Sequence, residues 1–308
     1  MGNTQNNQLP VISQKIYKEW YPKTVLVQSC DDAFEGELDL DKREIDIPVY
    51  HDLSIHQTSI KERELKPAAI EFIKSSTIRV SIDKGRYSHW GETNIGKLVE
   101  KLSAEDSETR KKLANKWAQE AEKELAEWCA KLPSKHLIDI PTILSFGTTG
   151  YVNKDNVLNV LDILKAHATA VNMTPDDFKL FVSEKFETVL RDTKMSFASL
   201  DANEAFRAGF VAVADGVDVR KIQVSSVVSR DTTSKLVKAE WGIWKTRDGI
   251  QYVIPYKNTI SYEITPDQVL LGGKGYQSVE YYDFFNIYPT RLYKVKLNYV
   301  ANETPPSL

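Results

Sequence analysis

The residues that could do chemistry are five histidines, two cysteines and a few glycine-rich and acidic clusters. His51 and His56 stand five apart in a stretch that alternates like a strand, so they point to opposite faces and cannot share a metal. His89, His136 and His167 are scattered, and no His-Glu-x-x-His occurs. There is no Gly-x-Ser-x-Gly elbow for a serine hydrolase. Gly272-Gly273-Lys274-Gly275 lacks the strand, the Gly-Lys-Ser/Thr and the helix start of a phosphate cradle, and reads as a turn. Phe146-Gly147-Thr148-Thr149-Gly150 reads as a tight connection before a helix. Asp31-Asp32 with Glu35-Gly36-Glu37 reads as an acidic surface segment, with cation binding as the alternative. Aromatics interleaved with Arg291, Lys294 and Lys296 resemble a base-stacking platform. The alternation from Leu292 to Leu297 better fits one strand with a buried face. These residues predict no catalytic centre, no cofactor and no metal.

The elements say more than the side chains. From Ile45 the residues Ile47, Val49, Leu53 and Ile55 alternate with polar ones, and a second alternating run closes at Ile82. Between them lies the charged segment Lys61-Glu62-Arg63-Glu64, with no Asn-Gly or Asp-Gly to turn the chain. The reading is a long hairpin whose tip has no core of its own. From Asp106 to Leu132 the residues Ala114, Trp117, Ala118, Ala121, Leu125, Trp128, Cys129 and Leu132 fall on one helical stripe. Pro133 stops that helix. Val157 to Val171 predicts a second amphipathic helix, with Asn153 or Asp155 as its cap and Asn172 in the left-handed position at its end. Val25-Leu26-Val27 and Phe178 to Val182 read as strands, and Ser183 as the cap of a further helix. Arg247-Asp248-Gly249 reads as the turn of a hairpin between 241–245 and 250–254.

Composition bounds the function. The 308 residues carry a net charge of −3, with 42% hydrophobic and 27% charged side chains. That is an ordinary globular balance, large enough to need no disulfide or metal for folding, and without the basic footprint of a nucleic-acid binder. The start, MGNTQNNQLP, has no signal-peptide pattern, and no run reaches the length of a membrane span, so a soluble chain is expected. Cys129 lies on the apolar stripe. Reduced thiols are expected, with a Cys30–Cys129 disulfide the alternative.

The order of these pieces resembles the major capsid proteins of tailed bacteriophages, Caudoviricetes, with the Hong Kong 97-like fold. The resemblance runs from Ser13 to Val300. It rests on the Trp-containing arm SQKIYKEWYPKTVLVQS, the hairpin from Ile45 to Ile82, the passage IDKGRYSHWGETN and the helix SAEDSETRKKLANKWAQEAEKELAEWCAKL. VLNVLDILKAHATAVNMTPDDFKLFVS, NEAFRAGFVAVADGVDV and the closing YYDFFNIYPTRLYKVKLNYV continue it.

What the resemblance implies is an α+β (mixed α/β) chain. It would have an N-terminal arm (1–44), an extended E-loop hairpin (45–82), a peripheral domain with the spine helix (83–138), an axial domain (139–276) and return strands to the peripheral domain (277–308). The implied role is structural, not enzymatic: pentamers and hexamers closing an icosahedral shell around double-stranded DNA, touched only weakly and non-specifically. The chain would assemble in the host cytoplasm and reside in the virion, with no membrane contact. The E-loop would lie across a neighbouring subunit, with Lys61, Glu62, Arg63 and Glu64 in inter-subunit contact. A portal and cement proteins are implied partners. Because the recognisable arm starts within the first twenty positions, a separate scaffolding protein or none is expected. Relatives also form Lys–Asn cross-links; Lys61 and Lys66 lie in the corresponding loop, but no partner Asn or catalytic Glu is recognisable. The alternatives are an encapsulin-type nanocompartment shell of the same fold and a cytosolic α/β enzyme.

Overall fold

Hydrophobic periodicity decides most of the architecture. The computed structural model describes residues 16–33, 44–50, 75–93, 107–144, 150–191, 210–214, 216–230, 236–265 and 272–300. Helix α1 (Ser107–Ala130) buries Ala114, Trp117, Ala118, Ala121, Leu125 and Cys129, the residues at three- and four-residue spacing. Its 24 residues make a rod about 36 Å long. Pro133 follows its end, and the Lys294 ammonium donates to the carbonyls of Ala130 and Leu132, which no later turn of helix would satisfy. Among the described residues three further helices follow: α2 (Ile140–Leu144), α3 (Val157–Ala170) and α4 (Glu184–Arg191). Asn172 closes α3 at φ 59°, the left-handed position read from the sequence. The Lys185 amide donates to Ser183 Oγ at 3.2 Å, so Ser183 caps α4.

The strands, numbered in chain order, form three sheets among the described residues. The smallest pairs β1 (Glu44–Tyr50) with β2 (Ser75–Ser81) antiparallel, placing Ile45 opposite Val80 and Ile47 opposite Ile78. The second is antiparallel throughout, with β11 (Gly273–Phe285) between β3 (Lys84–Thr93) and β10 (Gln251–Ile264). The third begins at β4 (Leu137–Asp139), passes through β12 (Leu292–Val300) and β9 (Leu236–Lys245), and ends at β5 (Lys179–Val182), β7 (Val217–Lys221) and β6 (Phe210–Ala214). β8 (Ser226–Arg230) joins it beside β9. Among the described strands the β12–β4 and β5–β7 pairs run parallel and the others antiparallel.

One core lies between α1, the N-terminal segment and the inner face of the three-stranded sheet; a second lies between α3, α4 and the large sheet. A small third cluster holds the base of the β1–β2 hairpin against Val253 and Ile287. Cys30 and Cys129 are free thiols buried in the first core, where burial raises Cys30 to about 11 and Cys129 further.

Three local expectations are corrected. Val25-Leu26-Val27 is no strand: Val27 to Ser29 form a single 3-10 turn. Arg247-Asp248-Gly249 turns the chain but makes no hairpin, because β9 pairs with β12, β5 and β8 while β10 pairs with β11. The turn carries the chain from one sheet to the other, held by the Thr246 amide donating to the Arg291 carbonyl at 3.1 Å. Gly273 to Gly275 lie in β11 and not in a turn; of the glycines in this stretch Gly272 alone, at φ 66°, has the left-handed backbone.

Candidate assembly surfaces

Among the described residues, those singled out for chemistry are dispersed by the fold, while His51, His56, 35–37 and 146–149 lie outside the described residues. His89 lies exposed on β3, His136 is buried with Nδ1 3.0 Å from the Leu292 carbonyl, and His167 packs edge-on against Tyr293, its pKa lowered by burial. Among the described residues no three His, Cys, Asp or Glu side chains converge as metal ligands. Asp31 is tied into structure, its amide donating to Ile250 and its carbonyl accepting from Tyr252. Lys294 caps α1, and Lys296 reaches Asp139 at 3.3 Å, so the basic side chains of β12 serve the fold. No helix of the described residues is long and apolar enough to cross a membrane.

The N-terminal segment is fastened to the long helix by one side chain. Glu122 Oε1 accepts the amides of Val25, Leu26 and Val27 at 2.6, 2.7 and 3.1 Å. These donors precede a 3-10 turn and so lack partners of their own, and a carboxylate from a helix ninety-seven positions away supplies the missing acceptor. Below this clasp Ile16, Trp20, Leu26 and Val27 are buried in the α1 core. Sequence reasoning missed Glu122; its only signal is an acidic residue beside the apolar stripe.

Across α1 lies a buried polar network. Arg86 and Glu280 are 8% and 1% exposed, with Nε and Oε2 3.8 Å apart. The guanidinium also donates to Tyr252 Oη at 2.7 Å and to the Trp117 carbonyl at 3.3 Å, and stacks on Tyr282 at 3.9 Å. Tyr282 donates to Glu124, which pairs with Lys84 at 3.0 Å. This network pins β3 and β11 to the helix and encloses no substrate-sized space: the adjoining cavity is about 10 Å³, room for one water.

Among the described residues, two surfaces of the smaller sheets expose apolar side chains. On the hairpin, Ile45 and Ile47 are buried at the base, whereas Ile78, opposite Ile47, is 40% exposed. The second surface is the outer face of the three-stranded sheet. There Val279 stands between Tyr87 and Asn258, Gln277 between His89 and Ile260, and Tyr281 between Gly85 and Tyr256. Gly275, between Gly91 and Tyr262, continues this face, and its far end carries one carboxylate, Asp283, opposite Val253 and accepting the Asp83 amide. Tyr87 is 68% exposed, and Ile260, Tyr262 and Tyr281 are exposed with it. The Tyr262 ring lies over Gly275 and the Tyr281 ring over Gly85, flattening the surface. An apolar patch of this kind marks an interaction site. The tip residues Lys61, Glu62, Arg63 and Glu64 lie outside the described residues.

Comparison with family models and with curated proteins found no match. Solved structures do match in fold. A structure titled Mycobacterium phage Che8 superimposes with a TM-score of 0.58 at 15% identity, over 88% of this chain and 90% of that one. The capsid of Ralstonia phage GP4 gives 0.58 at 11% identity, over 89% and 87%. A virus-like particle from Pyrococcus furiosus gives 0.53 at 11% identity, over 94% and 98%. The chain has the Hong Kong 97-like α+β fold of phage capsid proteins, across nearly its whole length.

Proposed function

We propose that this chain is the major capsid protein of a tailed phage, a structural protein that self-assembles into pentamers and hexamers and closes as an icosahedral shell around double-stranded DNA. The observation that carries the reading is agreement in fold with phage structures, the capsid of Ralstonia phage GP4 among them, over most of both chains. The surfaces support it. In a shell, the exposed Ile78 of the hairpin and the outer sheet face around Tyr87, Ile260, Tyr262 and Tyr281 can each be buried against a neighbouring copy, which removes two aggregation hazards and drives association. Lys61, Glu62, Arg63 and Glu64 would sit at the rim of that contact and contribute register more than affinity. The net charge of −3 suits a wall that encloses DNA without gripping it. A scaffolding protein, a portal and cement proteins are the proposed partners, host cytoplasm the place of assembly and the virion the destination.

A second reading is a protein nanocompartment of the same fold, favoured by the likeness to the Pyrococcus furiosus particle. Expression of the chain alone, sedimentation velocity and negative-stain microscopy test both. Rings, sheets or closed shells are expected, and nucleic acid or protein inside them separates the two. A slow species near the 35.0 kDa monomer, unchanged by a candidate scaffolding protein, would sink the shell reading.

A further inference from the structure

Edge strands are where a sheet can recruit another chain, and native sheets blunt them with short length, charge, proline or a bulge. Among the described strands every edge but one is blunted. β1 carries Pro48, β2 carries Arg79 and β3 carries Lys84. β10 has Pro255 and a break in register between Val253 and Tyr256. β4 has three residues, and β6 breaks register at 210–212. β8 has none of these devices along 226–229: it pairs with β9 without a shift, and no described strand lies on its other side. Val227 and Val228 point to opposite faces of it, and each is 55% exposed.

The ladder to β9 decides which groups are open. The Trp241 amide donates to the Ser225 carbonyl at 3.0 Å. Antiparallel ladders alternate, so Ser225, Val227 and Ser229 exchange bonds with β9, while the N–H and C=O groups of Ser226 and Val228 face outward. A two-fold axis normal to an antiparallel pair must pass between one residue and its own copy. Centred on Val227, such a pair sets Ser225 opposite the second copy's Ser229 and Ser226 opposite its Val228, with Val227 against Val227. Ser226 and Val228 then form the hydrogen-bonded pairs, which satisfies the outward groups of both copies, and no charge stands across from these five residues. Centring on Val228 would instead set Ser226 against Arg230 and separate the valines at 227. We propose that β8 pairs antiparallel with β8 of a second copy, centred on Val227, so that two large sheets join across a two-fold axis. The contact is one strand wide, well under the roughly 1,200 Å² of a standard interface, so the dimer is weak and reversible. Neither the β1–β2 hairpin nor the outer face of the three-stranded sheet takes part in it.

Sedimentation equilibrium of the full-length chain, in the fraction slower than any ring, tests the pair over loadings from about 5 to about 200 µM, where a weak interface fills. A reversible rise from one 35.0 kDa copy to two is expected. Val227→Lys sets like charges against each other at the axis and should weaken the dimer at least about tenfold. Val228→Pro removes an outward N–H that β9 does not use, so the monomer should keep its circular dichroism while the dimer is lost. Val227→Cys reads the register. Cα atoms about 4.5 Å apart in a non-hydrogen-bonded pair lie in disulfide range, so oxidised glutathione should join two copies. Val228→Cys, opposite Ser226, should leave its thiols too far apart to join. Cys30 and Cys129 are buried and do not compete. A monomer at every loading, a dimer that survives both Val227→Lys and Val228→Pro, or cross-linking by Val228→Cys in place of Val227→Cys would each overturn the pairing. Should the first two variants fail to fold, the cysteine pair decides alone. None of these outcomes depends on rings or shells, so the strand pair and the capsid reading fail separately.

Discussion

Arg86 contributes a buried cation 3.8 Å from Glu280, and its guanidinium satisfies Tyr252 and the Trp117 carbonyl as well. Arg86→Met removes the charge and three polar contacts while keeping much of the volume. The expected cost is about 3 kcal/mol in urea unfolding, mostly the penalty of a carboxylate left in the core. Arg86→Met with Glu280→Leu should recover at least half of that loss, since two apolar side chains leave no charge stranded. If the double variant were as unstable as the single, the Glu280 charge would not be the source. Gly249 offers a steric test at the same scale. A Cβ there would stand 2.2 Å from the Arg291 carbonyl oxygen, a backbone atom that cannot rotate away. Gly249→Ala should cost about 1–3 kcal/mol, as overpacking does, and lower the melting temperature.

Between elements, the joint of α1 with β12 is made by Lys294 donating to the last carbonyls of the helix. Lys294→Met should cost about 1 kcal/mol and fray residues 129–132 first, visible as faster amide exchange there. Loss distributed over the whole helix would contradict the capping role. What the sequence shows of the elements follows from how local their causes are. Helix α1 is legible because its stripe repeats every three or four residues, and Asn172 because a left-handed position has a residue preference. Val25-Leu26-Val27 reads wrongly because β-branched residues suggest a strand, whereas a carboxylate on a distant helix dictates the conformation. Asp-Gly at 248–249 marks a turn correctly, but which sheets it joins depends on strands far away in sequence. Of the candidate surfaces, the hairpin's alternation is visible early. The outer sheet face is not, because it exists only when β3, β11 and β10 lie side by side.

At the scale of the whole molecule, folding uses one face of the three-stranded sheet, and the proposed association would use the other. The inner face carries Arg86, Glu280, Tyr252 and Tyr282 and is consumed by α1. The outer face contributes little to the monomer, since Tyr87 is 68% exposed and its ring meets only His89 among the aromatic contacts of the described residues. A charge placed there separates the two roles. Tyr87→Glu should leave monomer stability within about 0.5 kcal/mol of the parent, as exposed substitutions do. In a shell the same carboxylate would be buried against an apolar neighbour without a partner, at a cost of several kcal/mol per contact. Because every subunit repeats the contact, even a modest cost per copy accumulates around a ring. Sedimentation velocity should therefore show the variant as a folded slow species under conditions where the parent forms rings or shells. Tyr87→Phe, which keeps the apolar ring, should assemble like the parent. Shells formed equally well by Tyr87→Glu would place the outer sheet face on solvent, and the association would then rest on the hairpin and arm alone.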